Sequence, residues 1–224
     1  MRRYVQFAVG AILLFAAYGL KPGISSAADP APVPAMQDQK PQNSAAEVVV
    51  YASDLPKSAL AEFEVWKDSA SPGGTMVGVA NGGADLDPPP EDDPHVTFKV
   101  KVQSGVLYRC WIHMKVGTAK GTSQANKVWV QLAEAVDKSG KKFLTPASNS
   151  YLTAQGPKQP GWVWVQAVLE NGKSPAESTF RFGVSGEITV RIQAGMEGVG
   201  FDQFLLSPAR FLENAPAEAV VSKS

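Results

Sequence analysis

Five tryptophans carry most of the chemistry that this 224-residue chain offers. Trp111 shares an every-second-residue register with Arg109, His113 and Lys115, set against Cys110, Ile112 and Met114 on the other side. Trp129 and Gln131 alternate in the same way with Val128, Val130 and Leu132, and Arg191 and Gln193 with Val190 and Ile192. If these runs are neighbouring strands, one sheet face is polar, basic and aromatic at once. Such a face suits a sugar, because the apolar side of a pyranose stacks on an indole while amides and cations bind its hydroxyls. The alternative is that Trp111 and Trp129 are covered and pack as a second layer, the commoner fate of tryptophan. Trp162 and Trp164 share a face behind the Gly156–Pro160 loop, where they are either a loop-borne platform or packing. Asn126, at a strand entrance, offers either an amide to a hydroxyl or a turn.

Other chemistries find little material. Two histidines and one cysteine leave no disulfide framework and no multi-cysteine zinc site. Asp85, Asp87, Glu91, Asp92 and Asp93 cluster oxygens of the kind calcium takes, but Pro88, Pro89 and Pro90 interrupt them, which favours a solvated loop. Cys110 falls in the apolar register and reads as a small buried hydrophobe. There is no G-x-S-x-G elbow, no H-E-x-x-H and no phosphate-binding glycine loop. Glu62, Glu64, Glu134 and Glu197 are carboxylates in principle, yet nothing in the sequence pairs any two of them as glycosidase chemistry requires. No catalytic residue is expected.

The ends differ from the middle. Arg2 and Arg3 precede the uncharged run Phe7–Leu20, too short for a comfortable membrane span but suited to a signal-peptide core. Cleavage is expected after Ala27 or Ala28, or later after Ala35; an uncleaved anchor is the alternative. The whole chain balances 21 basic against 21 acidic residues. Loss of residues 1–28 takes away three basic residues, leaving 18 against 21 and a net charge of −3. Neither balance favours nucleic acid or an anionic membrane surface. Residues 29–46 read as a Pro/Ala-rich linker, 47–212 as the folded part and 213–224 as a loose tail.

Between these ends the period-two pattern dominates. It predicts strong strands over 95–103, 107–116, 127–132, 179–184, 187–193 and 201–206, and weaker ones over 48–52, 61–67, 76–80 and 161–168. Ser104-Gly105, Ser139-Gly140, Asn171-Gly172 and Ser185-Gly186 supply turns. About ten short strands without helices imply an all-β jelly-roll sandwich of two antiparallel sheets.

Several stretches then look familiar: Val49-Val50-Tyr51-Ala52-Ser53-Asp54-Leu55-Pro56, Tyr108-Arg109-Cys110-Trp111-Ile112, Asn126-Lys127-Val128-Trp129-Val130-Gln131, and Gly161-Trp162-Val163-Trp164. Ile188-Thr189-Val190-Arg191-Ile192-Gln193 and Gly200-Phe201-Asp202-Gln203-Phe204-Leu205-Leu206-Ser207 close the set. In this order, over residues 47–212, they resemble the galactose-binding-like β-sandwiches near the family 6 and family 35 carbohydrate-binding modules. The resemblance implies a non-catalytic module that binds a glycan or polysaccharide, often with a structural calcium. Asp202 matches the late acidic residue that helps hold that calcium, but the early paired glutamates are missing: Tyr51-Ala52-Ser53-Asp54 offers one carboxylate. The expectation is therefore a secreted or periplasmic glycan binder with no cofactor beyond that calcium. Its site would comprise Arg109, Trp111, His113, Lys115, Asn126, Trp129, Gln131, Trp162, Trp164 and Arg191. The alternative partner is another envelope protein, docked on the same aromatic face.

Overall fold

The computed structural model describes residues 45–80, 90–116, 126–137, 140, 142–144, 151–169 and 178–223. The expected leader, nearly all of the linker, Asp85 and Asp87 of the acidic loop, and the Asn171-Gly172 turn lie outside them.

The alternating runs form strands. One layer contains β1 (Val48–Tyr51), β3 (Glu64–Lys67), β4 (Thr75–Gly78), β6 (Arg109–Val116), β11 (Gly161–Leu169) and β14 (Gly200–Ser207). The other contains β2 (Leu60–Ala61), β5 (His95–Val102), β7 (Lys127–Leu132), β10 (Leu152–Gln155) and β13 (Gly186–Ala194). A small sheet of β8 (Ala135–Val136), β9 (Lys142–Leu144) and β12 (Arg181–Phe182) sits apart. Three single-turn 3-10 helices are the only helical elements among the described residues.

The all-β expectation holds, with one refinement. The two layers are joined, giving the strand path β2-β5-β13-β7-β10-β11-β6-β14-β4-β3 with β1 added on β14. β11 makes the joint: its residues 161–166 pair antiparallel with β6, and residues 167–169 with β10. A strand that changes sheet closes one edge of a sandwich and opens a notch where its two partners part.

Apolar residues from both layers meet between them. Val96, Phe98 and Val100 of β5, Val128 and Val130 of β7, and Val190 and Ile192 of β13 face Cys110, Ile112 and Met114 of β6 and Phe204 of β14. The Phe98 and Phe204 rings meet edge-on at 5.3 Å across the interface. Burial of this kind stabilises the fold by roughly 25 cal/mol per Å² of apolar surface. The expected strand 61–67 is split, because Glu62 adopts φ 63°, a left-handed turn between β2 and β3. The expected strand 179–184 shrinks to β12, and β8, β9 and β10 were not expected. β10, Leu-Thr-Ala-Gln, alternates over only four residues and is fixed by its pairing to β7 and β11.

Candidate functional site

Arg109, Trp111, His113 and Lys115 do point away from the core along β6, but that face is covered. Trp111 is 6% exposed, Arg109 5% and His113 4%. Residues 208–223, which follow β14, run back over the outer side of the first layer as a strap. Phe211 and Val221 of the strap are buried with Trp111 and Leu205 in a second apolar cluster, against which Val49 and Trp164 pack. The indole N–H of Trp111 donates to Phe211 O at 2.8 Å, and that of Trp164 to Glu218 O at 2.9 Å. Gln203 reads the strap backbone twice: Nε2 donates to Ala219 O at 3.0 Å, and Oε1 accepts from Val221 N at 3.0 Å. Tyr51 Oη donates to Val221 O at 3.1 Å. The segment expected to be a loose tail is thus packed structure, and Trp111 is its anchor and cannot also be an open sugar platform. Burial holds the Arg109 guanidinium below its ordinary range, the Glu213 carboxylate partly opposing this.

Beside the strap, His113 lies between two tryptophans. Its ring stacks on Trp162 at 4.8 Å and 12°, and contacts Trp164 at 4.8 Å and 35°. A register shift between Phe201 and Gln203 places Asp202 in a bulge of β14. There its Oδ1 accepts a hydrogen bond from His113 Nδ1 at 2.7 Å, and the residue is fully buried. Of the two carboxylates considered for calcium, Asp202 accepts from His113 through Oδ1 while its buried Oδ2 has no partner, and Asp54 pairs on the surface with Lys223. Among the described residues, no three His, Cys, Asp or Glu side chains converge. Lys115 is half-buried, 2.6 Å from Asp68 and 5.7 Å from the Trp162 ring centroid. The Lys115 ammonium holds the Asp68 carboxyl below its ordinary value, against partial desolvation.

The outward residues of the second layer are also covered. Register places Trp129 beside Gln193 and Thr153, and Gln131 beside Arg191. Trp129 is 1% exposed, with Tyr151 edge-on at 4.7 Å and Lys127 Nζ 4.7 Å above its ring. Gln131 is likewise buried. Gln193 Nε2 donates to Pro90 O at 2.7 Å, and Arg191 donates to Glu91 O, so the last proline and the residue after it lie against this face. Burial lowers the Arg191 guanidinium, Glu91 opposing the shift. The single aromatic face expected from the sequence is therefore two faces, on opposite sides of the sandwich, both covered. Asn126 is buried, and its Nδ2 donates to Gly156 O at 2.8 Å, 30 residues away, rather than to its own local backbone.

An open site remains at the notch between β10 and β11. A cleft of about 460 Å³ is lined by Thr153, Gln155, Gly156 and Pro157 on one side, and by Val163, Trp164, Val165, Gln166 and Val168 on the other. Trp164 is half-buried, fixed by His113 on its ring and Glu218 on its N–H. Thr153 is buried, and its Oγ1 has no hydrogen-bond partner. No charged side chain is among the lining residues. Of the expected site residues only Trp164 lines the cleft. Thr153, Gln155 and Gln166 were missed. Gln155 beside Gly156 was the one available signal, an amide entering a turn.

No family model matches the chain, and no curated protein matches it. Among solved structures, the fold is similar to a mannanase of Podospora anserina that carries a family 35 carbohydrate-binding module (14% identity, TM-score 0.48). That match covers 73% of this chain and 28% of the mannanase chain. The chain is also similar to the family 6 module of a Zobellia galactanivorans laminarinase (10%, TM-score 0.45), with 72% of this chain and 99% of the module covered. A family 6 module of Cellvibrio mixtus lichenase 5A, solved with cellotriose, gives 12% and 0.45, over 72% and 97%. The chain spans 28% of the mannanase's length and nearly all of the two isolated modules.

Proposed function

We propose that this protein is an exported, non-catalytic glycan-binding sandwich whose sugar site is the cleft between β10 and β11. The observation that carries the reading is the chemistry of the lining: one indole, two amides, a hydroxyl without a partner, and aliphatic walls, with no charge. Uncharged donors and acceptors around an aromatic edge fit a neutral, hydroxyl-rich ligand, whereas an anionic sugar or a nucleotide calls for Arg or Lys. The volume lies in the range of small-ligand sites, roughly 300–1,000 Å³. Absence of a carboxylate from the lining speaks for recognition rather than hydrolysis, since glycosidases place two beside the scissile bond. Export rests on the apolar run Phe7–Leu20 behind Arg2 and Arg3.

The test is retention of the full chain on neutral β-glucan and mannan affinity gels, together with a glycan array. Trp164→Ala and Gln155→Ala are expected to reduce retention. Gln155 is exposed, so its substitution leaves the fold intact and separates loss of the site from loss of structure. Retention unchanged in both variants overturns the assignment of the cleft, and no retention by the wild type on any neutral glycan overturns the function. Export is checked by intact mass of the protein recovered outside the cytoplasm, which should lack about the first 28 residues.

A further inference from the structure

Trp164 is the one indole lining the cleft, and two separate restraints hold it. Its ring lies against His113, centroids 4.8 Å apart, and His113 is backed in turn by Trp162 at 4.8 Å and 12°. Its N–H donates to Glu218 O at 2.9 Å. Both restraints trace to one place in β14. Phe201 and Phe204 are buried in the main core, while the two residues between them, Asp202 and Gln203, bond to groups on the outer side. Regular alternation cannot send both phenylalanines inward; the register shift between Phe201 and Gln203 does so and turns two polar side chains outward together. Asp202 Oδ1 accepts from His113 Nδ1 at 2.7 Å, which fixes the imidazole against Trp164. Gln203 bonds Ala219 O and Val221 N, which fixes the strap backbone next to the Glu218 carbonyl.

Stability alone does not account for Asp202. It is fully buried and its Oδ2 has no partner, an arrangement less stable than apolar residues filling the same space. That destabilising group stands where it aims His113 at the indole of the cleft. Trp164 is half-buried beside a void of about 460 Å³, so an unrestrained ring has room to move. Ordering one such side chain at the moment of binding lowers affinity by about two- to tenfold. We propose that Asp202 and Gln203 are positioning residues for the sugar site, holding the Trp164 indole in place through His113 and through the strap before a ligand arrives. This inference rests on the cleft being that site. Neither residue lines the cleft, so both act through other groups.

The full chain labelled with fluorotryptophan tests this without any glycan, because the fluorine line of Trp164 is assigned by its loss in Trp164→Phe. Two double variants separate positioning from packing. His113→Phe with Asp202→Leu keeps a flat ring against Trp164, and His113→Leu with Asp202→Leu does not. Both exchange a buried polar pair for apolar groups, a change that is often neutral or stabilising. A single sharp Trp164 line is expected in the wild type and the first double variant. A broadened or split line is expected in the second and in Gln203→Leu. On the neutral glycan gels, those last two should bind about two- to tenfold more weakly than the wild type, and the first double variant close to it. A wild-type line in both the second double variant and Gln203→Leu overturns the proposal, as does equal retention by the two double variants on a glycan that holds the wild type. Should the double variants fail to fold, Gln203→Leu decides, because Trp111, Tyr51 and Phe211 still attach the strap. Failure of the wild type to bind any neutral glycan strikes the sugar reading instead, and the fluorine lines still decide the positioning.

Discussion

Trp111 separates the two readings of the first layer most sharply, because a glycan platform and a strap anchor answer its substitution oppositely. Its indole is buried among Leu205, Phe211 and Val221 and donates to Phe211 O at 2.8 Å. Trp111→Ala removes a large buried ring, for which about 3–5 kcal/mol is the usual loss. Trp111→Phe keeps much of the ring and removes the donor, leaving a buried carbonyl unpaired at about 1–3 kcal/mol. The lower half of each range is expected, since the strap can shift toward water and re-pair its carbonyl. An exposed aromatic would instead change stability by less than about 0.5 kcal/mol. Urea unfolding followed by tryptophan fluorescence and circular dichroism gives the difference. Limited proteolysis reports whether the strap opens first, as cleavage within 212–223 before the core unfolds. The expected pattern is a clear stability loss in both variants, larger for Ala, with early strap cleavage. Wild-type stability in Trp111→Ala, combined with lost glycan retention, would refute the covered-face reading.

Three further outcomes follow from local structure. Cys110 is fully buried, and burial pushes its thiol well above the ordinary range, so a thiol reagent should label the native protein at the rate of global unfolding; fast labelling without denaturant contradicts its position in the core. Gly200 pairs with Gly78 across β14 and β4, and a Cβ there would collide with Met76 Cε and lie 2.9 Å from Val77 O. Gly200→Ala should therefore cost about 1–3 kcal/mol in a urea melt through overpacking. The Lys115–Asp68 pair holds Asp68 below 3.8, so its contribution is complete above that ordinary value and is lost as pH falls through the lower folded one. Lys115→Met should accordingly be less stable than wild type at neutral pH, with the gap closing in thermal melts below about pH 4.

The parts of the fold legible in the sequence were those in which alternation is strong. His95–Val102 and Lys127–Leu132 read as strands because the core supplies an uninterrupted apolar side, and the register of Arg109, Trp111 and His113 away from that core was also correct. β10 was missed because its Leu-Thr-Ala-Gln alternation runs over only four residues, two of them small or weakly apolar, too short a signal to stand out. The cleft was invisible because the notch exists only where β11 leaves β6 for β10, a tertiary event with no local pattern. His113 and Asp202, 89 residues apart, are brought together by a bulge that no local pattern announces.

By itself, the sequence determined the side of the sheet on which each residue stands, because side chains in a strand alternate by steric necessity. That was enough to expect an all-β sandwich, to bury Cys110, and to place Trp111 and Trp129 outside the central core. Only the tertiary structure decided whether the outside is wet. The strap contacts Trp111 from 100 residues away, and the last proline and the residue after it reach Gln193 and Arg191 from a similar distance. Whether a face is covered depends on such long-range returns of the chain, which carry no periodicity of their own. That is why one tryptophan of the five, Trp164, lines the cleft.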